Sequence, residues 1–183
     1  MTDLGPTNSP LPGAVQRLMA GAGALGRGPA PVHLWNPPYC GEIDMRIAAD
    51  GTWFYNGSAI RRPAMVKLFS TILRKDSSGF VLVTPVERVG IRVDDAPFLA
   101  VEVQSEAGAA GERLYVRTNL DDVIEISDEH PIRFTVAEDG GLKPYIHVRG
   151  DLWALASRAL THELIGRCTV EISEKPTVLG GET

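Results

Sequence analysis

The sequence predicts an α+β fold, rich in β structure and built around a duplicated hairpin-then-helix unit. Three observations carry that expectation. Asp-Gly turns flanked by alternating apolar residues occur at two places, Asp50-Gly51 and Asp139-Gly140. A proline-led amphipathic segment follows the first of them, and short β-prone runs separated by turn residues then fill most of the remaining chain.

Residues 1–31 are rich in Gly, Pro and Ala and read as a mobile arm; residues 15–25 could form one weak helix, but Gly21, Gly23 and Gly26 each penalise it. Order is expected to begin at residues 32–35, after which Pro37-Pro38 imposes an extended or turning backbone. From 43 to 47 apolar and polar residues alternate, Asp50-Gly51 supplies a type I′ turn, and Trp53-Phe54-Tyr55 returns as a strand. A two-residue loop sets Ile47 against Phe54, Arg46 against Tyr55 and Ala48 against Trp53.

Pro63 suits a first helical position, and Met65, Leu68, Phe69, Ile72 and Leu73 follow the spacing of a buried stripe. Lys67, Ser70, Thr71 and Arg74 make the wet face. This hairpin and helix define an N-terminal subdomain over 32–78. Seven runs then read as strands: 80–84, 88–93, 98–103, 114–118, 123–126, 132–136 and 145–148. A helix over about 151–165, capped by Asp151 and stopped by Gly166, buries Leu152, Leu155, Ala156 and Ala159. Strands and helix together predict a C-terminal barrel over 79–176, with 177–183 as a tail.

Sliding the chain along itself sets Asp50-Gly51 over Asp139-Gly140, Ile43 over Ile132, Met45 over Phe134 and Ile47 over Val136. A two-residue adjustment then sets Arg62 over Arg149, Met65 over Leu152 and Leu68 over Leu155. Coincidence is the competing explanation, since such hairpins and helices are common; the shared order and the shared arginine favour duplication. In the second hairpin a loop of Asp139-Gly140-Gly141 pairs Phe134 with Ile146 and Ile132 with Val148 on the inside. Tyr145, His147 and Arg149 then share the opposite face.

With 18 Lys and Arg against 23 Asp and Glu, the net charge of −5 repels polyanions and argues against duplex nucleic acid as a partner. Cys40 and Cys168 have no CxxC partner and no histidine at ligand spacing, so two buried thiols are expected, with no metal and no disulfide framework. No secretory signal pattern and no apolar run of about 18 residues is present, so a cytoplasmic protein without a membrane span is expected. The G-x-S-x-G elbow, Walker loop, dinucleotide fingerprint and H-E-x-x-H are all missing, which weakens an enzymatic reading without excluding it and implies no cofactor.

Several stretches carry a resemblance. Trp35-Asn36-Pro37-Pro38, the run from Gly41 to Ile47, Asp50-Gly51-Thr52-Trp53, Leu68-Phe69-Ser70, the run from Leu82 to Glu87, Asp94-Asp95-Ala96-Pro97-Phe98, Arg117-Thr118-Asn119 and the run from Pro144 to Gly150 resemble the uncharacterised bacterial DUF1285 family over roughly residues 35–164. The resemblance implies a core made by duplication, a C-terminal half similar to pleckstrin-homology folds, and a ligand site between the halves. It also implies a nucleotide-like ligand and a role in signalling.

The residues singled out for ligand binding are Arg46, Arg61, Arg62, Arg117 and Arg149, with Trp53, Tyr55 and Tyr145. They combine planar cationic forks for phosphate or carboxylate with aromatic faces for a ring. The competing reading has these arginines pairing with Asp44, Glu87, Asp94 and Asp95 across a seam. His147 joins them by strand alternation. Asp128-Glu129-His130, followed by Pro131, reads as a loop rather than a metal cluster, and Asp94-Asp95 and Asp121-Asp122 read as turns.

The leading expectation is a non-catalytic binding or regulatory module holding a small anionic, nucleotide-like ligand between the repeats, with Arg46, Trp53, Arg62, Tyr145 and Arg149 lining one hollow. The alternative is a peptide- or protein-binding module using a strand edge or groove of the C-terminal half. A hydrolase using His147 comes third and requires a carboxylate or hydroxyl beside that imidazole.

Overall fold

The computed structural model describes residues 13–26 and 28–167. The expected tail, Cys168 and the last stretch of the expected barrel lie outside them. Within the described residues the chain is mostly β, with three α-helices and two six-stranded sheets.

The first sheet contains β1 (Tyr39–Ile47), β2 (Trp53–Tyr55), β3 (Ser58–Ala59), β4 (Leu73–Asp76), β5 (Gly79–Val83) and β6 (Arg88–Val93), in the order β3-β2-β1-β6-β5-β4. Helix α2 (Pro63–Thr71) links its two three-stranded meanders, which join where β1 runs parallel to β6. The second sheet contains β7 (Phe98–Gly108), β8 (Gly111–Thr118), β9 (Val123–Glu125), β10 (Ile132–Val136), β11 (Leu142–Arg149) and β12 (Leu152–Ala156), in the order β10-β11-β12-β7-β8-β9. Its meanders join where β12 runs parallel to β7, and α3 (Arg158–Arg167) follows.

Numbered within each half, the two sheets have one and the same strand order, so the duplication is real but its units differ from those expected. β1 corresponds to β7 and β4 to β10, which sets the first hairpin against β7-β8 rather than against β10-β11. The repeat is a whole six-stranded sheet.

Four expectations are corrected by this arrangement. First, residues 79–93 do not belong to the C-terminal barrel: β5 pairs with β4, and β6 with both β5 and β1, so the halves divide at the connector from Asp94 to Pro97. Second, the helix expected from Asp151 starts later. Leu152, Ala154 and Ala156 are buried with period two on β12, where they fill the gap between β11 and β7. Ser157, whose Oγ accepts the Leu160 N–H at 3.2 Å, sits at the start of α3 instead.

Third, both hairpin registers shift. Ile47 faces Trp53 and Arg46 faces Phe54, because the first loop has three residues, closed by Ala48 N–H donating to the Thr52 carbonyl, with Gly51 at φ +85°. The one-residue change carries Trp53 from the polar face into the core, where it is 1% exposed. In the second hairpin Ile132 faces Ile146 and Phe134 faces Pro144, which leaves Phe134 exposed. Fourth, the supposed arm is partly core: α1 (Gly13–Gly23) buries Val15, Leu18 and Ala22 and packs on α2.

Leu73 and Arg74 lie on β4 rather than on the helix, and Arg74 donates to the carbonyls of Val32 and Trp35 at 2.7 Å each, pinning the 3-10 turn Val32–Leu34. Buried apolar side chains of both halves make one continuous cluster running through Ile47, Trp53, Phe69, Phe98 and Ile146. Cys40 is exposed, not buried.

Candidate functional site

The residues singled out from sequence do not converge. Arg46 lies on the outer face of the first sheet, where it bonds Asp94 at 2.5 Å and covers the Phe54 ring, beside an Arg92–Asp44 pair at 2.9 Å. Arg117 is held at the surface by Glu102 and Asp121. Arg61 and Arg62 are exposed, Arg62 standing immediately before α2. Trp53 stacks on Phe69 inside the core, and Tyr55 packs against that core from its edge. Arg46 thus takes one of the carboxylates expected to pair with it, though not across the seam, whereas Arg117 pairs with two carboxylates of its own half that were not among them.

Arg149 does reach across the seam. It donates to the Ser70 carbonyl at 2.7 Å, lies over the Phe98 ring and stands 3.8 Å from Asp122. Burial lowers its pKa from the ordinary arginine value, with only Asp122 opposing that effect. Its contacts place it as a tie between the halves.

Arg149 also lines a hollow of about 280 Å³ between the halves, with Leu73, Arg74 and Lys75 opposite it, and Tyr145 lines a larger cleft at the same junction. The cleft, about 450 Å³, has one wall from the β4-β5 hairpin, carrying Lys75 and Phe80, and a floor from Asp95, Ala96 and Pro97 of the connector. Its other wall comes from β10, β11 and β12 and carries Arg133, Phe134, Thr135, Tyr145 and Trp153, and the Asp151 carboxylate from the turn between β11 and β12 also lines it. Sheet geometry explains the grouping, because Arg133 faces Tyr145 across β10-β11 and Trp153 faces His147 across β11-β12.

Two cations lie against aromatic rings here, one on each wall. The Arg133 guanidinium sits 3.6 Å from the Trp153 centroid, and the Lys75 ammonium 5.3 Å from that of Phe80. Among the described residues neither has an ion-pair partner. The floor is different: Asp95 accepts from Lys143 and, at 2.6 Å, from the Tyr145 hydroxyl. Burial opposes ionisation of Asp95, but the Lys143 and Tyr145 bonds outweigh it and hold the carboxyl below its ordinary value. The same burial and the nearby carboxylate raise the Tyr145 phenol, so it stays a proton donor.

His147 lies behind Trp153, its ring edge-on to the indole at 5.0 Å between centroids. Its nitrogens meet His130 Nδ1 at 3.1 Å and the Gly150 carbonyl at 2.7 Å. Among the described residues neither a carboxylate nor a hydroxyl bonds it, the partner that the hydrolytic reading requires. Asp128, Glu129 and His130 form part of a turn, and no group of three or more metal-binding side chains converges among the described residues. No helix among them is long and apolar enough to cross a membrane.

Lys75, Phe80, Arg133 and Trp153 were not singled out from sequence. The Arg133–Tyr145 pairing was within reach once the second loop was placed correctly. Trp153 depended on β12, which reads as helix; Lys75 follows Leu73 and Arg74, which read as the end of a helix rather than the start of β4; and Phe80 lies on β5, which reads as a strand but of the other half.

Family models match the two halves in order: Domain of unknown function (DUF1285), N-terminal domain, over residues 30–96, and Protein of unknown function (DUF1285), C-terminal domain, over residues 97–180. Their boundary falls in the connector that floors the cleft. A crystal structure of a DUF1285 family protein from Silicibacter pomeroyi DSS-3 is similar with a TM-score of 0.78 and 50% sequence identity, over 85% of this chain and 86% of that one. Another from Shewanella baltica OS155 is similar with a TM-score of 0.54 and 27% identity, over 68% of this chain and 91% of that one. No curated protein matches the chain.

Proposed function

The chain belongs to the DUF1285 family, and from the chemistry of its junction cleft we propose that it is a non-catalytic binding module for a small ligand joining an anionic group to a flat ring, of the nucleotide kind. The observation that carries this reading is the placement of Lys75 and Arg133, two cations without carboxylate partners among the described residues, against rings on walls from different halves. An anion drawn to both would bridge the halves, while Trp153 and Phe80 offer faces for stacking. Occupancy then alters the relative pose of the halves, a regulatory output suited to signal transduction.

Two further parts of the reading belong here. The C-terminal half, two three-stranded meanders followed by a helix packed on β7, is read as related to pleckstrin-homology folds. A cytoplasmic setting is supported by the exposed free thiol of Cys40, which an oxidising compartment would threaten.

A thermal-shift screen with mononucleotides, cyclic dinucleotides and sugar phosphates tests the proposal, since a ligand that prefers the folded state raises the midpoint. At least one nucleotide should do so in the wild type, and Arg133→Ala or Trp153→Ala should remove the response. A response that survives both changes overturns the assignment of the cleft.

A second reading is favoured by one observation. β10 is the outermost strand, and Phe134, Val136 and Leu142 of its hairpin are 41, 71 and 43% exposed. An extended peptide with alternating apolar residues could add to that edge. Val136→Lys should then weaken peptide binding, measured by fluorescence anisotropy, while leaving any nucleotide response intact.

A further inference from the structure

The duplication gives the junction cleft two walls of the same construction. The β4-β5 hairpin stands in the first sheet where β10-β11 stands in the second, at the same end of one strand order. On each hairpin the first strand carries a cation directly opposite a ring on the second strand: Lys75 faces Phe80, and Arg133 faces Tyr145. All four side chains line the cleft. Each cation also lies over a ring of its own wall, Lys75 over Phe80 and Arg133 over Trp153.

We infer that the cleft takes a ligand of two like halves, each joining a phosphate to a flat ring, with one half on each wall: a dinucleotide rather than a single nucleotide. This deepens the binding reading above and rests on it. One phosphate would have to pull Lys75 and Arg133 from opposite walls toward a single point, at the expense of both cation–ring contacts. Two linked phosphates leave each cation at its own wall and set the attached rings against Phe80 and Trp153.

The charges match such a ligand. The cations lining the cleft are Lys75 and Arg133, one for each phosphate, and neither has an ion-pair partner among the described residues. Neighbouring cations are already engaged: Lys143 by Asp95, Arg74 by Asp76, and Arg149 by the Ser70 carbonyl with Asp122 beyond it. The Asp151 carboxylate also lines the cleft without an ion-pair partner among the described residues, so it opposes a third phosphate and offers an acceptor to ring N–H groups. Space for a second half adjoins the first wall: the seam hollow of about 280 Å³ meets the cleft of about 450 Å³, with Lys75 and Asp151 lining both.

Calorimetric titration of the full chain with 5′-phosphorylated ribodinucleotides (pNpN, for each common base), set against the matching nucleoside monophosphate and 3′,5′-bisphosphate, tests the inference. Joining the halves makes the second contact intramolecular, so pNpN should bind about a hundredfold tighter than the monophosphate. The bisphosphate, with both phosphates but one ring, should fall between them. Lys75 is exposed, so Lys75→Ala should keep the fold while bringing pNpN to within about threefold of the monophosphate. Equal affinity of pNpN and the monophosphate in the wild type, or an advantage that survives Lys75→Ala, overturns the inference and leaves the binding reading standing. Failure of every one of these nucleotides to bind overturns both.

Discussion

Asp95 ties the connector to the second sheet through Lys143 and Tyr145, and its depressed pKa makes that tie sensitive to acid. The sign follows from the direction of the shift. A carboxyl whose folded pKa lies below its ordinary value of 3.8 contributes stability that is full above that value and fades as pH falls through the folded one. Asp95→Asn should cost about 1–2 kcal/mol at pH 7. The difference between wild type and variant in urea unfolding should narrow below about pH 4. At the same scale, sequence alternation placed Tyr145 correctly, because its face parity survives a two-residue change of register. Trp53 was misplaced because a one-residue change does not. Arg46 was read as a ligand arginine, since nothing local distinguishes a binding cation from a member of the Arg46–Asp94 and Arg92–Asp44 surface ladder.

Among the elements, strands 88–93 and 132–136 were legible to the residue, whereas residues 152–156 were not. Leu-Trp-Ala-Leu-Ala satisfies both a helical stripe and a strand alternation, and the choice rests on β7 and β11 offering a gap to fill. Gly21 looked like a penalty in α1; it is a point of contact, since a Cβ there would lie 2.9 Å from Thr84 Cγ2. The two hairpin loops allow a paired prediction. Gly51 and Gly140 both have positive φ, but a Cβ on Gly51 would stand 2.7 Å from Asn119 Nδ2, whereas nothing lies within 4 Å of one on Gly140. Gly140→Ala should cost about 1 kcal/mol from backbone strain alone, and Gly51→Ala clearly more because it also presses the halves apart. Denaturant midpoints of the two variants check the order.

At the scale of the whole molecule, the duplication was visible as a repeated signal but aligned on the wrong copies. Asp-Gly loops and apolar stripes recur for local reasons, while the unit that repeats is defined by parallel β1-β6 and β7-β12 joins between strands far apart in sequence. The seam was expected to be rich in arginine; Arg149, through Ser70 and Phe98, is the member of that set that crosses it. Arg149→Ala should destabilise the fold by about 1–3 kcal/mol. Hydrogen exchange should show its largest loss of protection at the end of α2 and along β11.

NMR mapping on ¹⁵N-labelled protein, with a mononucleotide that raises the unfolding midpoint as titrant, tests most directly whether the junction cleft is the binding site. The account predicts that amides of Lys75, Phe80, Arg133 and Thr135 and the Trp153 indole move together, with Arg46 and Val136 unaffected. Perturbations gathered on the Arg46–Arg92 face, or along the outer edge of β10 with the Trp153 indole unmoved, would contradict it.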